Sequence, residues 1–335
     1  MSTFSCPIVE IGKLEKHANA DTLSIVHIYS YPVIVRTGEL NEGDKAIYIP
    51  EEALVPEVPM FSFLWKNREK PREKDRVIRA IRLRGIFSMG LLIPVPQQLK
   101  DLPVGSDVAI QLGIEKYEKP EPVCTGGSNL PTPGWFHKYT EIEQLRKYNS
   151  VLTLGEEVVI TEKIHGSNGR FCYHDNQLWV GSHNNTKEND GLNMWWVVAN
   201  QLNLEERLRA HPDIIIFGEV YGQVQKGFDY DVARGKMDLI LFDAFDVAQD
   251  RYLNYYMFLT LAQSLELKVV PILYRGPWLG LEQHEPLADG LNALSGKHIR
   301  EGFVVKPVQE RWNEEVGRVI LKLVGQEYLL NKHKE

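Results

Sequence analysis

Apolar residues in the first third of the chain alternate in short runs instead of recurring at helical spacing. SIVHIY (24–29), PVIV (32–35), AIYI (46–49), VIRAIRL (77–83) and GLLI (90–93) are brief and rich in β-branched residues. Gly, Asn, Asp and Pro punctuate them, which predicts a small β-barrel and not a repeated βαβ unit. Residues 114–134 are rich in Pro and Gly without apolar periodicity and read as a linker or long surface loop. EIEQLRKY (141–148) predicts one short helix. Beyond it, buried strands are predicted at 157–161, 178–181, 214–217, 239–242 and 303–305, with helices over 192–208 and 255–267. Strands and helices mix there without strict alternation, so the second half is α+β. The implied layout is a β domain over 1–113, a linker over 114–140 and an α+β domain over 141–335.

Composition changes little in this picture. The 335 residues are 43% hydrophobic and 25% charged, as in ordinary globular proteins, and the length allows two cores. The three cysteines are widely spaced, which suggests neither a disulfide framework nor a zinc site. No apolar run approaches the roughly 20 residues of a membrane span, and no secretory leader is visible. A cytoplasmic protein without a membrane partner is the expectation. With 38 Lys and Arg against 45 Asp and Glu, the net charge of −7 speaks against a nucleic-acid partner. Residues 66–84 speak for one: nine basic and three acidic side chains give this segment a charge of +6. Arg82 and Arg84, two apart, would share a strand face and meet backbone phosphates.

Candidate chemistry lies in the second half. In EKIHGSN (162–168), Lys163 follows a strand and precedes a glycine turn, which would hold its amine rigidly. Such an amine is a nucleophile when desolvated or set among cations, although solvated lysines in tight turns are commoner. FGEVYG (217–222) delivers Glu219 from a buried strand, able to accept a ribose hydroxyl or hold a hydrated metal, or simply to pair at an edge. LILFDAFDV (239–247) carries Phe242 and Phe245, which would be core residues or a face for a nucleobase. EGFVVKP (301–307) sets Glu301 and Lys306 at the ends of an apolar strand. In VILKL (319–323), Lys322 interrupts another and calls for a partner such as phosphate.

None of the five segments is specific alone, but their order is. Together they resemble motifs I, III, IIIa, IV and V of the covalent nucleotidyltransferases, and most closely the ATP-dependent RNA ligases. DNA ligases usually carry Asp at the place of His165 and Arg at that of Asn168. HANADTLSIVHI (17–28), GELNEGDKAIYIPEEALVP (38–56) and RGIFSMGLLIP (84–94) resemble the OB-type module that precedes the ligase domain in one branch, which has no carboxy-terminal domain.

The resemblance implies an amino-terminal OB-like β-barrel and a carboxy-terminal α+β nucleotidyltransferase domain of ATP-grasp-like ligase type. It implies ATP as AMP donor, Mg²⁺ or Mn²⁺, and nicked duplex RNA or an RNA-containing duplex as substrate. Lys163 would carry AMP. Glu162, His165, Gly166, Asn168, Glu219, Phe242 or Phe245, Lys306 and Lys322 would bind the nucleotide, and Glu301 would orient the metal. His183 would approach the RNA, standing where relatives carry Arg; Val324 stands where many have a second lysine. The alternatives are a DNA ligase, a capping-type enzyme, or a non-catalytic OB-fold RNA-binding protein.

Overall fold

The computed structural model of the chain describes residues 4–65, 68–117, 127–225 and 227–331. It divides into two compact units, Met1–Pro120 and Glu121–Glu335.

In the first unit, Ile8–Glu10, Lys45–Ile49 and Leu91–Pro94 form one antiparallel sheet. Its side chains alternate between two apolar clusters, Ile8, Ile47, Ile49 and Ile93 on one face, and Val9, Ala46, Tyr48 and Leu92 on the other. Burial on both faces explains why AIYI is continuously apolar. A second sheet joins Glu15–Lys16, Leu23–Ile28 and Tyr31–Arg36. The basic stretch is less of a strand than its pattern suggested. Among its described residues, Ile81–Leu83 forms the one named strand, pairing with Ile86–Ser88, and Val77 makes a single bridge to Leu54. Arg84 and Gly85 form the turn with φ of 48° and 91°, so Arg84 sits at the tip and does not share a strand face with Arg82. His17 is buried and braces this hairpin. Its Nδ1 accepts the Asn19 N–H at 3.1 Å, so the proton sits on Nε2, which donates to the Leu83 carbonyl at 3.2 Å.

The second unit contains two large sheets and a two-stranded hairpin, Trp312–Asn313 with Gly317–Arg318. The larger runs in the order Asn129–Leu130, Thr186–Lys187, Gln177–Ser182, Ser167–His174, Ile214–Gly222, Met237–Asp246, Arg251–Tyr252. The smaller runs Glu143–Gln144, Leu321–Val324, Gly302–Pro307, Glu157–Glu162, Ile272–Pro277. The helix Tyr255–Ser264 and the helices Met194–Gln201 and Leu204–Arg209 pack on the main apolar cluster. The last two divide the expected 192–208 helix at Asn203, whose φ is 52°.

The helix expected at 141–148 is absent. Glu143–Gln144 pairs in parallel with Leu321 and Lys322, and the Leu145 N–H donates to the Lys322 carbonyl at 2.9 Å. Burial of Leu145 beside that strand outweighs a weak local helical preference. Strands Ser167–His174 and Ile272–Pro277 were not anticipated. Of the linker stretch, 118–126, which includes Cys124, lies outside the described residues. Residues 127–140 contribute a strand and the buried rings of Phe136 and Tyr139 to the second unit. Cys6 and Cys172 are buried free thiols, pushed up to about 12 by burial. No helix among the described residues is long and apolar enough to cross a membrane.

Candidate active site

Strand Glu157–Glu162 is paired on both sides, with Gly302–Pro307 and Ile272–Pro277, so its end is rigid. Lys163 follows at once. Its N–H donates to the Gly302 carbonyl at 3.0 Å, and its Nζ lies 2.8 Å from Glu301 Oε1. The chain then turns back against the neighbouring sheet so closely that a Cβ on Gly166 would lie 2.3 Å from the Val220 carbonyl oxygen. Only glycine fits that approach.

A cavity of about 310 Å³ opens beside Lys163, lined by Glu162, Asn168, His183, Glu219, Phe242, Lys306 and Lys322 among others. Register explains the convergence. Asn168 and Glu219 are directly opposed on adjacent strands and share a face, and Val304 and Lys322 are opposed on the other sheet. Phe242 is the extra residue of a bulge, because Phe217 pairs with Asp243 and Gly218 with Leu241. Phe242 lines the cavity, while Phe245 lines a second, smaller one. Asn168 Oδ1 is buried without a hydrogen-bond partner, as is Glu162 Oε1, whose other oxygen accepts the Ala293 N–H at 2.7 Å. Unpartnered acceptors in a cavity are groups prepared for a ligand's donors.

His165 and Glu301 stand behind the lining. Glu301 Oε2 lies 3.2 Å from His165 Nδ1, which is also 3.1 Å from the Tyr328 hydroxyl. Burial alone would raise the Glu301 carboxyl, yet the Lys163 ammonium and His165 hold it down to about 2. Glu219 goes the other way: burial, with the Glu301 charge nearby, pushes it up to about 8 despite Lys163 and the Gly166 N–H. Two carboxyl groups beside one lysine thus differ in protonation at neutral pH. Burial lowers the His183 imidazole, which lies 3.5 Å from Glu141.

Linkage makes the Glu219 shift measurable. Its folded-state value exceeds the unfolded one, so the group costs stability increasingly as pH rises from about 4.5 to about 8. Glu219→Gln is expected to match wild type near pH 4 and to exceed it by about 1–3 kcal/mol above pH 8 in ligand-free thermal denaturation. Parallel stability curves across that range would refute the assignment.

Beneath the cavity lies a set of charges that the motifs did not reveal. Asp243 is fully buried and accepts from Lys306 Nζ at 2.9 Å, Arg318 Nη2 at 2.6 Å and the Tyr139 hydroxyl at 2.8 Å. Glu310 bonds Arg318 at 2.6 and 2.7 Å and Lys306 at 3.3 Å, so two cations meet two anions. Burial would raise Asp243; Arg318 and Lys306 reverse the effect and hold it below the usual carboxylate range. An Asp within the apolar run LILFDAF was the available signal, since a buried carboxylate requires cations. Tyr139, Glu141 and Ile142 line the cavity from a segment with no catalytic motif. Arg82 and Arg84 belong to the first unit, and this cavity is built by the second.

The architecture and this lysine-centred cavity define a nucleotidyl-transferring ligase. The chain belongs to the RNA ligase family, whose model matches residues 156–324, and an OB-fold domain model matches residues 6–95. The first unit is therefore an OB fold and the second the ligase domain. A point mutant of the Naegleria gruberi RNA ligase with ATP and Mn is similar over 98% of this chain and 99% of that one, at 25% identity and a TM-score of 0.86. The same ligase with PPi matches over 99% of both chains at 25% identity with a TM-score of 0.84. Another mutant, with AMP and Mn, matches over 98% of both at 25% identity and 0.84. No curated protein matches the chain. Membership of the family makes the protein an RNA ligase and RNA its substrate.

Proposed function

We propose that this ligase uses ATP to seal a 3′-hydroxyl to a 5′-phosphate at nicks in duplex RNA or RNA-containing duplexes, with Lys163 as the adenylylated residue. The observation that carries the reading is the meeting of Lys163, Asn168, Glu219, Phe242, Lys306 and Lys322, distant in sequence, around one cavity. Lys163 Nζ gives up its ammonium proton to solvent and attacks the α-phosphorus of ATP; a second proton leaves the nitrogen as the P–N bond forms, and the bond to the leaving pyrophosphate breaks. A 5′-phosphate oxygen of the RNA then attacks the AMP phosphorus and expels the lysine. The 3′-hydroxyl finally attacks the activated 5′-phosphate and expels AMP.

Each step is an in-line displacement governed by position and charge. Glu301 aims the Lys163 amine before attack and loses that ion pair once the nitrogen is bonded to phosphorus. Asn168 Oδ1 and the Glu219 carboxyl are placed for hydroxyl donors of the nucleotide sugar, and Phe242 for the adenine ring. Lys322 faces phosphate charge. Lys306 is committed to Asp243 and Glu310 and contributes chiefly through the field of that network.

Among the described residues no group of three or more His, Cys, Asp and Glu side chains converges on a metal-binding point. The carboxyl groups of Glu301 and Glu219 beside this cavity would fit a hydrated Mg²⁺ or Mn²⁺ held through Glu301, water and nucleotide phosphates, with Glu219 joining once the cation favours its ionised form. Such an ion supplies neutralisation of phosphate charge.

Sealing assays on nicked duplexes differing only in the sugar of the 3′-hydroxyl strand test the substrate. Ribose termini are expected to be sealed much faster than deoxyribose termini, and equal rates would overturn the assignment. The basic hairpin of the OB unit supplies phosphate contacts in this reading. Arg82→Ala with Arg84→Ala should weaken RNA binding and reduce its logarithmic salt slope by about 2, while Lys163 adenylylation is retained. An unchanged slope would remove the hairpin from the interface.

A further inference from the structure

The second cavity, of about 290 Å³, lies within the ligase domain and is walled by Phe245, Tyr252 and Trp312, with Arg251, Asn254 and Gln309 at its edges. Trp312 is 72% exposed, which is unusual for so large an apolar side chain. It is nevertheless held firmly. Trp312–Asn313 pairs with Gly317–Arg318 in a hairpin, and the preceding Arg311 donates to the Val151 carbonyl and to Glu156 Oε2, both at 2.7 Å. Arg318, opposite Trp312, is buried in the charge network. An exposed indole on an anchored hairpin loses little conformational entropy when a flat ring covers it.

We propose that this cavity binds one unstacked nucleobase of the RNA substrate, stacked on Trp312. The inference rests on the RNA-ligase reading and adds a subsite to it. The aromatic walls suit a planar ring, and the edge groups suit its polar rim: Gln309 offers an exposed amide, and Asn254 spends its Oδ1 on the Glu310 N–H at 2.8 Å, leaving its NH₂ as a donor. Asp250 and Arg251 both line the space and Glu310 is already paired with Arg318 and Lys306, so the site carries little net charge and suits a neutral base more than a phosphate. One contact links this cavity to the catalytic one, although they have no lining residue in common. Glu310 borders the former and bonds Lys306, which lines the latter, at 3.3 Å. A base held here belongs to a strand running past the reacting ends.

The test compares wild type, Trp312→Ala and Trp312→Tyr for lysyl-AMP formation and for steady-state sealing of an RNA nick, using also substrates with one abasic nucleotide at each successive position. Base–aromatic stacking of about 1–3 kcal/mol predicts that Trp312→Ala raises the RNA KM roughly 5–100-fold, leaves lysyl-AMP formation within about twofold, and is largely rescued by Trp312→Tyr. One abasic position should penalise wild type by a similar factor and Trp312→Ala hardly at all. An unchanged KM, or no such position, overturns the proposal. Equal loss of lysyl-AMP formation in Trp312→Ala also overturns it, by making the hairpin structural. If free AMP quenches Trp312 fluorescence, judged against Trp312→Phe, and RNA does not, the source is a mononucleotide and the strand assignment falls. Failure of the parent reading looks different: wild type itself would form no lysyl-AMP.

Discussion

Incubated with α-labelled ATP and Mg²⁺, Lys163→Ala is expected to carry no label on the protein, a loss of at least about 10³-fold relative to wild type. Alanine removes the amine proposed to form the P–N bond, and Lys306, which lines the same cavity, is engaged by Asp243 and Glu310. Glu301 loses in this variant the ammonium that chiefly held its carboxyl down, and a carboxylate oxygen forms no P–N bond. Lys163→Arg should be equally unlabelled, which separates nucleophilicity from charge. Given a strand whose 5′-phosphate already carries AMP, both variants should still seal it, because the final displacement needs no lysine nucleophile. Labelled Lys163→Ala protein would show that another residue is adenylylated and would invalidate the assignment.

The second large effect concerns stability. Asp243→Ala strands Lys306 and Arg318 in the interior with only Glu310 between them and deprives the Tyr139 hydroxyl of its acceptor. Removing one partner of a buried network typically costs about 3–5 kcal/mol. For a unit of this size the melting temperature should fall by roughly 5–15 °C. Asp243→Asn retains shape and hydrogen-bonding capacity and is expected to lose less. Differential scanning calorimetry of the full chain decides the matter, and a shift below about 2 °C for Asp243→Ala would mean that the network is replaceable. Acid has a related effect. Asp243 and Glu301 both lie below their unfolded values, so the stability they contribute is present above about pH 4.5 and is lost as pH falls through the folded values.

The linear sequence exposed part of this well and part poorly. Runs that end in a functional residue were readable because a strand end and a glycine mark the place. Lys163 before Gly166 and Glu219 after IIIF are examples, and both line or border the cavity. The choice between Phe242 and Phe245 was not readable. Simple alternation puts residues three apart on opposite faces, but a bulge inserts Phe242 and decides which ring meets the cavity. The 141–148 segment misled because its local pattern is helical, while its native conformation is set by pairing with Leu321 and Lys322, far along the chain. Arg84 misled for the opposite reason: the turn residues Arg84 and Gly85 end the strand earlier than the apolar pattern suggests.

Net charge is a similar case. The total of −7 conceals a segment of +6 in the OB unit, and it also counts carboxylates that are consumed internally. Asp243 and Glu310 neutralise Lys306 and Arg318, and Glu301 neutralises Lys163. An acidic sum therefore says little about the surface that meets RNA.

By itself the sequence determined the β and α+β classes and which side chains were available for the proposed chemistry. These follow from composition, periodicity and ordered motifs, all of which are local. Tertiary structure alone decided which of those residues share a cavity, which carboxyl group is pushed up and which held down, and where Asp243, Arg318 and Trp312 sit. Those properties depend on strand register and on burial among residues distant in sequence, because electrostatic energies in an interior are set by neighbours and not by order along the chain.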